Sequence, residues 1–214
     1  MSKRASRPDR LLVVTGTGTE IGKTWVGAHL LTELRAEGRT VAARKPVQSW
    51  APGDGPTDAD VLAAATGEAV AAVCPPHRSY SVPMAPPMAA VALDLPVPTI
   101  DDLVAETTWP DGIDIGLVET AGGVRSPLAA DGDTVTLAHR LEPDAVVLVA
   151  DAGLGTINLV RLSRAALHAW PVVVALNRYD ETEVLHRANR SWLRDTDDLT
   201  VCVSIAELAS AVTR

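Results

Sequence analysis

The feature that most constrains the fold is a rhythm of short aliphatic runs with little polar alternation. "LLVVT" (11–15), "VAARK" (41–45), "IGLVET" (115–120), "AVVLVA" (145–150) and "VVVAL" (172–176) are nearly continuous in Val, Leu, Ile and Ala. A strand with one wet face alternates apolar and polar side chains. Unbroken runs belong instead to strands covered on both faces, as in a parallel sheet under helices. The stretches between the runs supply those helices. Residues 23–37 carry apolar side chains at helical spacing and stop at Gly38, a C-terminal cap, and 157–169, 181–193 and 205–212 read similarly. Strands alternating with helices imply right-handed crossovers, and so an α/β fold with a doubly wound, mostly parallel sheet flanked by helices.

The 214-residue length suits one domain, read as 11–214 behind a flexible basic tail at 1–10. With no Phe, the core must be built mainly from Val, Leu, Ala and Ile. A net charge of −8 argues against a nucleic-acid partner, which needs clustered cations to replace counterions. The first apolar run is too short for a secretory leader and none suits a membrane helix, so no membrane partner is expected. Cys74 and Cys202 lack metal-type spacing and read as reduced thiols of a cytoplasmic protein. The proline-rich stretch 74–98 breaks the rhythm: it excludes a central strand and limits helix to a turn near 88–93. It reads either as a surface excursion or as a loop lining a substrate site. "TIDD" (99–102) then has the form of a helix cap with an acid three residues on.

The chemistry concentrates at the ends of the aliphatic runs, where open α/β sheets bind ligands. "GTGTEIGKT" (16–24) follows the first strand and opens the first helix. It has five residues between Gly16 and Gly22, one more than the usual phosphate loop. Backbone N–H groups there form an anion nest, Lys23 adds charge for the outer phosphates, and Thr24 offers a hydroxyl to Mg²⁺. Gly16, Gly18 and Gly22 would allow close backbone approach. Glu119 ends the third run where a carboxylate can reach that metal, and Lys45 ends the second, either solvated or aimed at phosphate. In "PTDAD", Asp58 and Asp60 can cap a helix or join the metal shell. Asn177 and Asp180 follow the fifth run in an Asn-x-x-Asp arrangement known from GTP-binding proteins, which leaves a GTPase as a competing reading.

The ordered set "TGTGTEIGKT", "RKPVQS", "TDAD", "VETAGG", "LGTIN" and "LNR" resembles the dethiobiotin synthetase family over 15–178, stretched loop included. The resemblance implies a P-loop NTPase-like fold and a homodimer with its substrate site near the dimer interface. It also implies an ATP- and Mg²⁺-dependent cyclo-ligation of 7,8-diaminopelargonate (7,8-diaminononanoate) with CO₂ to dethiobiotin. It makes Lys23 and Lys45 catalytic and Thr24, Asp58 and Glu119 the metal ligands. Glu20, Ile21, Gly22, Lys23, Thr24 and Trp25 would bind phosphates, Glu119, Thr120, Ala121 and Gly122 would line the nucleotide, and Asn177 and Arg178 would meet its base. Ser49 would contact the diamine, and Gly155, Thr156 and Asn158 would offer the substrate carboxylate a helix N-terminus across the dimer.

Three departures from the family pattern matter. Thr120 stands where many relatives carry Gly, Trp50 follows the substrate serine and narrows the substrate mouth, and "VCVSIAEL" (201–208) replaces a Gly-x-Ile/Leu-Pro that frames the base, leaving the base preference open. A regulatory switch of the ParA or MinD kind is the other class considered. Its usual lysine, five residues before that of Gly-Lys-Thr, is here Gly18. A related amide ligase and a family member without activity complete the alternatives.

Overall fold

The computed structural model describes residues 7–214. Six parallel strands form the sheet: β1 Arg10–Gly16, β2 Val41–Arg44, β3 Ile115–Glu119, β4 Ala145–Asp151, β5 Val172–Asn177 and β6 Thr200–Cys202. Their order is β6-β5-β4-β1-β3-β2. Because β2 and β3 lie on one side of β1 and β4 to β6 on the other, the winding reverses beside β1, and a crevice opens there at the carboxyl ends of the strands.

The near-continuous runs are explained by burial from both sides. Leu11 and Val13 of β1 point into one apolar cluster and Leu12 and Val14 into another, as the two-residue period of a strand requires. On the second face lie α1 (Lys23–Ala36), α2 (Asp58–Thr66) and the final helix Ile205–Val212, contributing Val26, Leu30, Leu31, Leu34, Leu62 and Leu208. The first face is covered by α3 (Pro86–Ala92), α4 (Ile100–Glu106), α5 (Thr134–Leu141) and α6 (Thr156–Ala166). No helix among the described residues is long and apolar enough to cross a membrane.

Local signals set the boundaries. Gly38 takes φ 87° just past α1, where its N–H donates to Arg35 O. Thr57 and Asp60 form a capping box on α2, and Thr99 and Asp102 form one on α4, satisfying N–H groups that a helix start leaves unpaired. The proline stretch holds more helix than the 88–93 expected: α3 begins at Pro86, because a ring in the first turn blocks no hydrogen bond the helix would make. The helix expected at 181–193 starts later, as α7 (Val184–Ser191), and runs into a π-turn at Trp192–Thr196. Asp180 Oδ1 accepts from the Thr182 N–H and hydroxyl, fixing a turn before it. Of the expected tail, residues 1–6 lie outside the described residues. Arg7 donates to Glu142 O, and Asp9 N–H to Ile113 O.

Candidate active site

The loop after β1 is held from behind. Thr17 N–H donates to Val149 O at the end of β4, and Gly16 O accepts from Val124 N–H beyond β3. Glu20 lies at φ 58° and Gly22 at φ 89°, left-handed conformations that alternate the peptide directions of the loop. The carbonyls so turned outward are captured: Arg178 Nη2 donates to Glu20 O and Asn177 Nδ2 to Ile21 O, at 2.8 and 2.9 Å. Two of the three glycines leave no room for a side chain unless a neighbour shifts, and Gly22 also sits at a positive φ. A Cβ on Gly16 would stand 2.3 Å from Ile21 Cδ1, and one on Gly22 2.1 Å from Asn177 Nδ2. At Gly18 a Cβ would meet nothing within 4 Å, so no protein neighbour requires the glycine that the sequence marks there.

Four polar side chains from four elements converge in front of this loop. Lys45 Nζ, at the end of β2, lies 2.6 Å from Glu119 Oε1 and 2.7 Å from Asp58 Oδ2. Thr24 Oγ1 sits 2.8 Å from both Asp58 Oδ1 and Glu119 Oε1. Asp58 reaches the cluster because Gln48 Oε1, nearly fully enclosed, accepts the Ala59 N–H and so anchors the start of α2. Asp58 and Asp60 thus divide the roles left open for them: Asp60 caps and Asp58 enters the site.

Burial sets the electrostatics. Burial works against the charge of Lys45, but Glu119 and Asp58 outweigh it and hold the ammonium above its ordinary pKa. Lys23, whose Nζ donates to Gly18 O at 2.9 Å, is pushed down by burial and then by repulsion from Lys45. The Asp58 carboxyl is held low by Lys45 and Thr24 although burial opposes this. Burial raises the Glu119 carboxyl despite the pull of Lys45.

The donor set fits Mg²⁺. It is made of oxygen alone, from one hydroxyl and two carboxylates, as a hard cation prefers. Glu119 Oε2 is buried without a hydrogen-bond partner among the described residues, a costly state for a carboxylate oxygen unless a cation or water satisfies it.

Two clefts meet at Gly22. The larger, about 720 Å³, exposes Thr19, Lys23, Thr24, Lys45, Asp58 and Ser49, with Ala121 and Gly122 on its rim. Its far wall is Pro83 to Pro86, so the proline stretch lines this cleft rather than making a mere surface excursion. Ser49 Oγ donates to Met84 O at 2.5 Å, and Trp50 borders the same cleft with its Nε1 donating to Ser79 Oγ. The smaller cleft, about 510 Å³, runs the other way past Trp25, Asn177, Arg178 and Tyr179 to Cys202, Val203, Ser204, Ile205 and Leu208. The unusual "VCVSIAEL" therefore forms its outer wall.

Some expected positions fall elsewhere. Thr120 is buried, its Oγ1 3.1 Å from Thr134 Oγ1, so its side chain faces the core and only its backbone borders the site. Trp25 turns away from the phosphate loop into the smaller cleft. Gly155, Thr156 and Asn158 line neither cleft. They open α6 with an uncapped N-terminus, where Thr156 Oγ1 is buried without a partner. Trp50, expected to narrow the substrate mouth, lines the larger cleft, whereas Thr19, Gln48 and Ser126 of that cleft and Tyr179 of the smaller were not singled out as site residues from sequence. Thr19, inside the glycine-rich loop itself, was the one with a usable signal.

An anion nest at the switch point of a parallel sheet, facing two lysines and a hydroxyl–carboxylate trio, defines a P-loop nucleotide-binding protein. A family model described as an AAA domain matches residues 10–210. The chain is 44% identical to the ATP-dependent dethiobiotin synthetase BioD of Rhodococcus jostii over 74% of this chain and 68% of that protein. To its namesake from Haloferax mediterranei it is 36% identical, over 88% and 79%. The chain belongs to the ATP-dependent dethiobiotin synthetase family.

Solved structures agree on the fold. A plasmid partition protein from Borrelia burgdorferi superposes with a TM-score of 0.59 at 13% identity, covering 97% of this chain and 99% of that one. A protein of the duf1611 family from Anabaena variabilis gives 0.55 at 19%, covering 96% and 57%.

Proposed function

We propose that this chain is an ATP-dependent dethiobiotin synthetase, a ligase of biotin biosynthesis. It closes the ureido ring of dethiobiotin from 7,8-diaminopelargonate and CO₂ at the expense of ATP. The carrying observation is the enclosed Lys45 ammonium, paired with Glu119 and Asp58 beside the phosphate loop, at the mouth of a cleft that continues to Ser49.

In this reading one substrate amine adds to CO₂ and loses a proton, giving a carbamate. A carbamate oxygen takes the γ-phosphoryl group of ATP as ADP departs, the second amine then attacks the activated carbonyl, and phosphate leaves as the ring closes. The phosphoryl step brings two anions together, so positioning and positive charge must supply most of the acceleration. Lys45 supplies a charge kept protonated by its carboxylate partners. Lys23, free to leave Gly18 O, supplies a second at the outer phosphates. Glu20 to Thr24 present backbone N–H groups to the phosphates, Glu119 to Gly122 border them, and Asn177 and Arg178 hold the loop while facing the base. Thr24, Asp58 and Glu119 would hold Mg²⁺, which would neutralise phosphate charge when bound. Ser49 and the wall at Pro83 to Pro86 position the diamine.

The working unit is a homodimer. Leu154, Leu159 and Leu162 are exposed beside Gly155, 91% in the case of Leu154, an apolar surface that a second copy would cover. Gly155, Thr156 and Asn158 then reach the partner's substrate carboxylate with the α6 N-terminus. The free, buried Cys74 and Cys202 fit a reducing, cytoplasmic setting, and residues 11–214 act as one catalytic unit.

The test is incubation of the purified protein with 7,8-diaminopelargonate, bicarbonate, Mg²⁺ and ATP, with the product identified by mass spectrometry. Dethiobiotin formation and diamine-dependent ADP release are expected. ATP hydrolysis indifferent to the diamine would overturn the reading in favour of a switch protein.

A further inference from the structure

We infer that the Trp25 indole is a preformed stacking wall for the nucleobase, a specificity-neutral source of nucleotide affinity separate from the phosphate loop. This rests on the reading of the loop as a nucleotide site. Trp25 sits in the first turn of α1, directly after Lys23 and Thr24, yet 51% of it is exposed. A large aromatic surface left open beside a ligand loop is the exception among tryptophans, which are mostly covered.

The ring is also held. His29, one turn further on, stacks on it with ring centroids 4.1 Å apart and planes 29° from parallel. His29 Nδ1 lies 2.8 Å from Trp25 O, which fixes the imidazole in turn. A rigid aromatic pair loses little freedom when a ligand arrives, so contact area converts to affinity efficiently.

The indole borders the smaller cleft, where Val203, Ile205 and Leu208 supply apolar wall beside the polar Asn177, Arg178 and Ser204. Asn177, which lines the cleft, commits its Nδ2 to Ile21 O and keeps its amide oxygen as an acceptor. The cleft joins the phosphate cleft at Gly22, so a nucleotide with its phosphates on the loop extends its base past Trp25. Every base offers a π-face, so the stack strengthens binding of any nucleotide, and edge contacts such as Asn177 discriminate.

The test compares Mg²⁺-ATP and Mg²⁺-tripolyphosphate binding by calorimetry for the wild type, Trp25→Ala and Trp25→Phe. Loss of one base stack should weaken ATP binding about 5- to 150-fold in Trp25→Ala. Trp25→Phe, which keeps an aromatic face, should stay within about fivefold of wild type. Tripolyphosphate, having no base, should bind all three alike, and ATP alone should change indole fluorescence in the wild type. Unchanged ATP affinity in Trp25→Ala overturns the inference while leaving the enzyme reading intact. Parallel weakening of tripolyphosphate also overturns it, because Trp25 would then act on the loop's fold. A wild type that binds tripolyphosphate but no more tightly ATP overturns it equally, and one that binds neither overturns the nucleotide site itself.

Discussion

The two clefts that meet at Gly22 are built on opposite principles. The larger closes around charge: Lys45 and Glu119 are almost fully enclosed, and contacts of 2.6 Å to each other and 2.7 to 2.8 Å to Asp58 and Thr24 leave little freedom. The smaller is a mostly apolar trough with an exposed indole, whose polar groups Asn177 and Arg178 are committed to the phosphate loop. Charge enclosed in low dielectric is strong but costly, and is retained where a reaction needs it. An apolar trough costs little and suits holding a flat ring. In the proposed reading, chemistry and affinity are separated along one ligand, with Gly22, which lines both clefts, as the junction.

The sharpest way to break this comparison is to remove the anion that balances Lys45. Glu119→Ala leaves a buried ammonium short of a partner, a change that typically costs about 3–5 kcal/mol. At about 2–4 °C per kcal/mol for a chain of this size, Tm should fall by roughly 6–20 °C, as read by calorimetry, with turnover lost as well. A stable, active variant would show that the pair is dispensable. Lys23→Ala should lower turnover by about a hundredfold or more, the scale of other single electrostatic contributions to a transition state. Its stability should hardly change, since Lys23 donates only to a loop carbonyl.

Gly22→Ala attacks the junction itself. A Cβ would meet Asn177 Nδ2 at 2.1 Å, and at φ 89° an L side chain adds about 1–2 kcal/mol of strain. ATP affinity should drop at least about tenfold, the effect of roughly 1.4 kcal/mol, as read by equilibrium titration. Wild-type affinity would mean that the loop does not need this conformation.

A smaller effect concerns the proline wall. Arg78 anchors that segment to α4 through Glu106, at 2.7 and 2.8 Å. The hydrogen bonds from Arg78 hold the Glu106 carboxyl below its ordinary value of 4.5, against burial. A carboxylate whose pKa is depressed by folding stabilises the fold above its unfolded pKa and loses that contribution as pH falls through the folded one. Stability should therefore decline on acidification below about pH 4.5, and Glu106→Gln should decline less over the same range. Identical acid limbs in the two proteins would remove Glu106 from the account.

How much of this was readable beforehand follows the same division. Lys23, Thr24, Lys45 and Glu119 stand at strand ends or in a glycine loop, where position along the chain dictates position in space, so their convergence was legible, although Lys45 read as either solvated or phosphate-facing until the family resemblance was added. Asp58 was ambiguous because a capping acid and a metal-shell acid look alike until Asp60 is seen to take the cap. The Thr120 side chain faces Thr134 and Trp25 lines the smaller cleft because neighbours in sequence point to different sides of a turn or helix. The smaller cleft was legible only through the family resemblance, which put Asn177, Arg178 and "VCVSIAEL" beside the base, because a trough of this kind needs shape rather than particular residues. The fold was legible throughout because burial on both faces leaves a pattern in the strands themselves, whereas the start of α7 depended on a side-chain turn at Asp180.

The most direct test of the central claim is the rate of dethiobiotin formation against ATP concentration for the wild type and Lys45→Ala, with diamine and bicarbonate saturating. If Lys45 stabilises the charge of phosphoryl transfer, kcat should fall by about a hundredfold or more while KM for ATP changes little. Unchanged kcat, or a loss confined to KM, would contradict the assignment of chemistry to the charged cleft.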